Sequence, residues 1–417
     1  MAAAAAIIAF GSNDVALISV AEALGHVLAH AAPLAAEEVP LEAAAGRVLA
    51  LDLKARRTQP PADVSAMDGY AVRAGDIAVA PARLKVIGEV PAGRPFSAEV
   101  GAGEAARIFT GGFVPAGADT VVVQELTKRD GDWVEVQKAT AKGRNVRSQG
   151  LDFRLGDKLF AKGHRLTARD LALVAGMNHP LVPVYRKPKV ALFATGDELV
   201  PPGTEPGPGQ IVYSNGFALA ALIRAEGADF VDLGVVGDKL EDTIDAVRRA
   251  RDLDADILVT TGGASVGDYD FVNRAFAAEG MVPSFWKIAM RPGRPLMHGR
   301  LGAMHVLGLP GNPVSAYVCA VLFFVPLLRR LAGRSDLTLP RATAMLGHAL
   351  GPNDERADYM RATLERRADG VLVATPFTAQ DSSLLVPLAT ADCLLVREPF
   401  APAAEAGSPC DILNLQF

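Results

Sequence analysis

From Pro188 onward the chain alternates strand, loop and helix at a regular spacing, and few folds accept that pattern. Lys189–Ala194 (KVALFA) reads as a strand, Phe217–Ala225 as a helix, Ala228–Val236 as a strand and Leu240–Ala250 as an amphipathic helix. Ala255–Thr261 then reads as a strand, Phe271–Ala278 as a helix, and Met304–Gly308 as a strand feeding a helix that begins near Val314. Such alternation predicts a parallel α/β sheet wrapped by helices. Its unusual loops are TGDEL (195–199), VVGD (235–238), TTGGASVGDYD (260–270) and GLPGNPVSA (308–316). All follow the carboxyl ends of predicted strands, where open α/β sheets bind their ligands. One shared site is expected there.

The rest of the chain surrounds this unit. A length of 417 residues suggests roughly three domains. Apolar residues recur at helical spacing from Val15 to His30, and Leu41–Leu51 reads as a second helix. Residues 55–155 change to short strands, including Arg83–Val90, Thr120–Gln124 and Trp133–Gln137, between Gly and Pro turns. A helical pattern returns over 156–180, with Thr167 to Asp170 as the helix entry. The expected organisation is a discontinuous helical domain (13–54 and 156–180), an inserted mainly-β domain (55–155), an α/β domain (181–334) and a small C-terminal β domain (335–417).

Charge and cysteine usage narrow the function classes. Lys+Arg 42 against Asp+Glu 47 gives a net charge of −5, which disfavours a general nucleic-acid binder. Cys319, Cys393 and Cys410 form no CxxC pair, so neither a disulfide framework nor a structural zinc site is readable, and a reducing cytosol is expected. The run Val318–Leu328 has the length of a buried helix, and the opening MAAAAAIIAF is interrupted by Asn13 and Asp14 too early for a span. A cytoplasmic protein without membrane association is expected. Glu22, His26 and His30 share a helix face, but without an HExxH pattern a packed or solvated face is favoured over a metal site.

Two further segments carry chemistry. Gly262-Gly263, Ser265 and Gly267 give a loop whose backbone N–H groups approach an anion, ahead of a helix after Asp270. Arg291-Pro-Gly-Arg294-Pro is a stiff turn with two guanidinium groups between apolar flanks, read as an anion clasp beside Lys287. Asp68, Asp152, Asp238 and Asp270 are spread along the sequence, and Mg²⁺ takes one or two carboxylates with phosphates and water. Together these point to phosphoryl or nucleotidyl chemistry.

SAMDGYAV (65–72), TGG-FVPAGADTVVVQE (110–125), TGDEL (195–199), TTGGASVGDYD (260–270), KIAMRPGRP (287–295) and LPGNPVSA (308–316) occur in one order. In that order they resemble the molybdopterin molybdenumtransferases of the MoeA family, to which the C-terminal part of gephyrin is also similar. The resemblance spans essentially the whole length. It implies a multidomain α/β-plus-β fold ending in a β barrel. It also implies a homodimer whose site lies between the α/β domain of one protomer and the inserted domain of the other. The implied reaction takes adenylylated molybdopterin and molybdate, releases AMP and inserts molybdenum into the pterin dithiolene, with Mg²⁺ as cofactor and a molybdopterin adenylyltransferase as upstream partner.

By the same resemblance, Asp238 and Asp270 would hold Mg²⁺ or the phosphate end of the ligand, while Asp68 and Glu198 would be essential acids. Lys287, Arg291 and Arg294 would hold oxyanions, and Pro310, Gly311, Asn312, Pro313 and Ser315 would shape the molybdate or pterin site. Thr110, Gly111 and Asp152 would contribute from the inserted domain, and Gly262, Gly263 and Ser265 from the glycine-rich loop. Two alternatives are an adenylyltransferase, which needs only residues 180–330, and a scaffold that keeps the fold. A tungstate-using version reads the same.

Overall fold

The computed structural model describes residues 17–262, 271–281 and 284–415. At its centre is a seven-stranded sheet. Its order is Leu17–Ile18, Ser284–Ile288, Pro295–Leu301, Met304–Leu309, Ile257–Thr261, Lys189–Thr195 and Asp229–Val236. The last four strands are mutually parallel, as expected. The sheet is nonetheless mixed, because Pro295–Leu301 runs antiparallel to both of its neighbours. That hairpin follows from Gly302, which takes φ +63° between Leu301 and Met304, so the chain turns back without a helical crossover.

Period-two alternation divides the core into two faces. Val190, Leu192, Ile257 and Val259 face helix Asn215–Ala225 and the apolar run Pro313–Leu331. Ala191, Phe193 and Leu258 face helices Leu240–Asp252 and Phe271–Ala278. Pro313–Leu331 is long and apolar enough to cross a membrane, but 83% of it is buried inside the fold, as a core helix should be. It widens into one π-helical stretch at Ala320–Phe324, ahead of Pro326, whose missing N–H and bulky ring disrupt regular helical pairing.

Several expectations are corrected. The N-terminal helix is Val20–Leu28, capped by the Ser19 hydroxyl on Glu22 N–H at 3.1 Å. It buries Ala23 and Val27 in the α/β core rather than in a separate helical domain. Leu41–Leu51 is not a helix beyond the short 3₁₀ turn Leu41–Ala43. Gly46 takes φ +72°, and Val48 and Leu49 instead pair with Arg165 and Val184 across the chain. That pairing satisfies their backbone groups and buries both side chains. Residues 156–167 include the strand Lys158–Phe160 before helix Ala168–Gly176, which Thr167 and Asp170 enter through a capping box.

The inserted domain is a six-stranded sheet ordered Thr120–Val123, Gly69–Val72, Glu104–Ile108, Ala82–Val90, Trp133–Val136 and Thr127–Asp130. After Leu339 the strands Arg341–Leu346, Ala357–Arg366, Leu372–Pro376, Cys393–Arg397 and Pro409–Asn414 close into a five-stranded barrel. The barrel is bound to the α/β domain by Met290–Arg291, which pairs in parallel with Ala357 and Asp358. A buried carboxylate, Glu226, joins further segments by accepting from Arg329 at 2.6 and 2.9 Å and from Arg334 at 2.6 Å.

Candidate active site

The strand order places Lys189–Thr195 between Asp229–Val236, to which the chain next crosses, and Ile257–Thr261. The direction of winding reverses there, so a crevice opens at the carboxyl ends of Lys189–Thr195 and Ile257–Thr261. The loops converge on it by contacts that can be followed one by one. Asp197 N–H donates to the Asp238 carboxylate at 3.3 Å, and Asp238 N–H donates back to Asp197 at 3.1 Å. Gly262 takes φ +87°, and a Cβ there would lie 2.7 Å from the Thr195 carbonyl oxygen. Gly311 packs against Gly262 from the other side, and its carbonyl accepts from the Asn215 amide at 2.7 Å. Thr195, Asn215 and Asp197 were not singled out by sequence, although Thr195 and Asp197 lie inside TGDEL.

The arginine turn reaches the same edge. A Cβ on Gly293 would lie 2.5 Å from Cys319 Sγ and 3.4 Å from the Ser315 carbonyl, so the turn rests directly on the helix that follows the 310–315 loop. Cys319 is the plug beneath it, donating to the Gly293 carbonyl at 3.3 Å, and burial pushes its thiol pKa up to about 12. It is structural rather than nucleophilic. Lys287 is half-buried near the carboxyl end of strand Ser284–Ile288, and Arg294 is exposed. Arg291 departs from the clasp expectation, because its guanidinium already holds Asp358 at 2.5 and 2.6 Å, Asn353 at 2.8 Å and Asp354 at 3.3 Å. These barrel acids engage it more tightly than an open turn would, and the hydrogen bonds to Asp358 hold its pKa above the ordinary value. In this geometry Arg291 ties the turn to the barrel, leaving Arg294 as the exposed cation of the turn and Lys287 as a half-buried cation on the strand before it.

The C-terminal domain also fastens the 310–315 loop, which the sequence did not reveal. Asn312 donates its amide to Ser382 Oγ at 2.8 Å, and Val314 N–H donates to the Ser382 carbonyl at 3.0 Å. Behind Ser382, Arg361 is 1% exposed and donates to the Asp381 carbonyl at 2.9 Å, while its Nε has no hydrogen-bond partner. Burial pulls its pKa down, opposed by the Asp381 charge. A buried cation without a bonded carboxylate is a ready counter-charge for an anion. The signal for it was weak, since a lone arginine in a strand carries no motif.

A second patch forms in the inserted domain. Asp68 Oδ1 accepts from Thr110 N–H at 2.7 Å and from Thr110 Oγ1 at 2.8 Å. These bonds, aided by the Arg107 charge, hold its carboxyl below the ordinary range. Arg107 is fixed in turn by the Gly69 carbonyl at 2.9 Å and by Gln124 at 2.7 Å, and it lies over the Tyr70 and Phe109 rings. Next to this patch is a cleft of about 410 Å³ whose wall includes Gly111, Arg57, Arg147 and Asp152. Among the described residues, no hydrogen bond or ion pair joins this patch to the strand-end crevice of the same chain.

Gly263, Ser265 and Asp270 lie outside the described residues. Among the described residues no cluster of three or more His, Cys, Asp or Glu side chains forms a protein-only metal cage. The exposed carboxylates of Asp197 and Asp238 do fit an ion that takes one or two carboxylates and completes its shell with phosphate and water.

Comparison with known proteins agrees with this architecture. Residues 18–177 match the MoeA N-terminal region (domains I and II), residues 191–330 a probable molybdopterin binding domain, and residues 343–415 the MoeA C-terminal region (domain IV). A molybdopterin molybdenumtransferase from a Nostoc species is 40% identical over 79% of this chain and 77% of that protein. The Haemophilus influenzae molybdopterin molybdenumtransferase is 34% identical over 91% of this chain and 94% of its own length. The crystal structure of the molybdopterin biosynthesis MoeA protein from Pyrococcus horikoshii superposes with a TM-score of 0.82 at 29% identity, over 96% of this chain and 100% of that one. Three consecutive domain matches, close relatives over most of the length and a shared fold establish that the chain belongs to the MoeA family.

Proposed function

We propose that the protein is a molybdopterin molybdenumtransferase, taking adenylylated molybdopterin and molybdate, releasing AMP and passing molybdenum to the dithiolene. The observation that carries the reading is the convergence of Asp197, Asp238, Gly262, Gly311 and Asn312 at one sheet edge, with cations beside them. The chain is suited to an anionic ligand. Gly262 leaves the backbone open to close approach, and Lys287, Arg294 and Arg361 supply positive charge around it. Asp238 and Asp197 would hold Mg²⁺, which when bound neutralises phosphate charge during hydrolysis. Pro310, Gly311, Asn312, Pro313 and Ser315, fastened through Ser382, would shape the molybdate end.

Asp68 enters from a partner protomer in this reading. Its lowered pKa keeps it an anion at neutral pH and weakens it as a base, so it serves as a charge partner rather than as a proton donor. Glu198 is exposed on the adjoining loop and serves as a second acid, with Thr110, Gly111 and Asp152 lining the opposite wall. The absence of an intrachain link between the Asp68 patch and the crevice, among the described residues, supports assembly of the site from two copies. The substrate would be delivered by an adenylyltransferase.

The test is AMP release from adenylylated molybdopterin with Mg²⁺, with and without molybdate, for the wild type and Asp68→Ala. Molybdate-dependent release that is lost in the variant is expected. Tight pterin binding with no release in either condition would instead indicate a carrier or scaffold.

A further inference from the structure

A small pocket of about 180 Å³ lies between helix Asn215–Ala225 and the edge strand Asp229–Val236. Tyr213, Phe217, Phe230, Arg224 and Asp232 line it. Phe217 is a large aromatic left 60% exposed, set 5.9 Å from the Tyr213 ring at a tilt of 52°. Tyr213 is pinned, because its hydroxyl occupies the space a Cβ would need on Gly216, at 1.7 Å. Arg224 lies 4.9 Å over Phe230, and its guanidinium makes no hydrogen bond or ion pair among the described residues.

The strand is shaped to present Asp232. Its register against Lys189–Thr195 shifts between Leu192 and Phe193, making a bulge at Leu233, and Gly234 takes φ +82°. Gly234 N–H donates to Asp232 Oδ1 at 2.8 Å, which fixes the carboxylate while its other oxygen stays free among the described residues. Bulges of this kind re-aim side chains beside functional sites. The pocket is also next to the crevice. Ile211 N–H donates to the Glu198 carbonyl and Tyr213 N–H to the Val200 carbonyl, each at 2.8 Å, while Asn215, two residues on, donates to Gly311.

We propose that this pocket is a ring subsite that takes a flat, amino-substituted heterocycle of the substrate, stacking it on the exposed Phe217 ring with the tilted Tyr213 ring at its margin, and reading its edge with Asp232 and Arg224. The free Asp232 oxygen accepts from an exocyclic amine, and the guanidinium donates to a ring nitrogen or carbonyl. Aromatic faces hold any such base, and the charged pair selects for the amine. Adenine and the pterin both present this chemistry. Their identity as candidates rests on the transferase reading, but the subsite itself rests on the pocket.

The test is direct binding to the full-length protein, by calorimetry, of AMP and separately of 6-hydroxymethylpterin, for the wild type, Phe217→Ala and Asp232→Asn. Both side chains are exposed, and thermal melts confirm that the variants fold. Weakening of one ligand by roughly tenfold or more in both variants supports the subsite and names its ring, AMP marking adenine and the pterin probe marking the pterin. Unchanged affinity for both ligands in both variants overturns the proposal, even where AMP release by the wild type is molybdate-dependent. Variant-sensitive ring binding without any AMP release would sustain the subsite and overturn the transferase reading instead.

Discussion

Asp68 and Gly69 occupy neighbouring positions with opposite demands. Asp68 is half-buried and set by Thr110, whereas Gly69 sits in a strand where a Cβ would lie 1.9 Å from the Val122 carbonyl oxygen. Gly69→Ala is therefore expected to destabilise the inserted domain by about 3 kcal/mol or more, read by chemical denaturation. The sequence presents Asp68-Gly69 inside the SAMDGYAV motif without a reason for the glycine. The steric reason for the glycine depends on the strand Thr120–Val123, far along the chain, and is not local. His298 and His305 give a second prediction at this scale. Both are buried, with rings 5.9 Å apart, and burial lowers each pKa from 6.5 to about 4. Between those values the unfolded chain binds protons that the folded chain does not, so stability falls as pH drops from 6.5 towards 4. The charges facing this pair are His26 of the first helix, His30 in the turn after it, Arg300 and Asp256. Urea midpoints across that range should decline in the wild type and decline less in His305→Gln. An equal decline would contradict the burial account.

Among elements, the loops beyond the parallel strands were the most legible part of the site. Strand-end position alone placed TGDEL, VVGD and LPGNPVSA together, and Asp197–Asp238 and Gly262–Gly311 realise that convergence. Arg291 was less legible. A basic turn between apolar flanks looks like an anion clasp, and the acids that occupy it, Asp354 and Asp358, come from a different domain. The Ser382 link was invisible for the same reason. It should act mainly on the loop it fastens. Asn312→Ala removes one exposed hydrogen bond and should cost about 1 kcal/mol of stability or less. Molybdate-dependent AMP release should fall by roughly tenfold, as expected when a positioning contact is lost. Full activity in a folded Asn312→Ala protein would show that the barrel contact is structural only.

For the whole molecule, the alternating pattern after Pro188 predicted the α/β core, and the change of pattern from Ala55 onward predicted the inserted β domain. What it could not show was where the first helix belongs. Val20–Leu28 has an ordinary amphipathic pattern, and the pairing of Leu17–Ile18 with Ser284–Ile288, with the burial of Ala23 and Val27, assigns it to the central sheet. Nor can periodicity report that, among the described residues, no hydrogen bond or ion pair joins the Asp68 patch to the Asp238 loop. The direct measurement is to mix Asp68→Ala with Asp238→Ala under conditions that exchange protomers, and to assay molybdate-dependent AMP release. Each variant alone should be inactive. If the site is built from two copies, mixed dimers contain one intact site, and activity should return to about a quarter of the wild type. Folded, exchanging variants that stay inactive when mixed would contradict it.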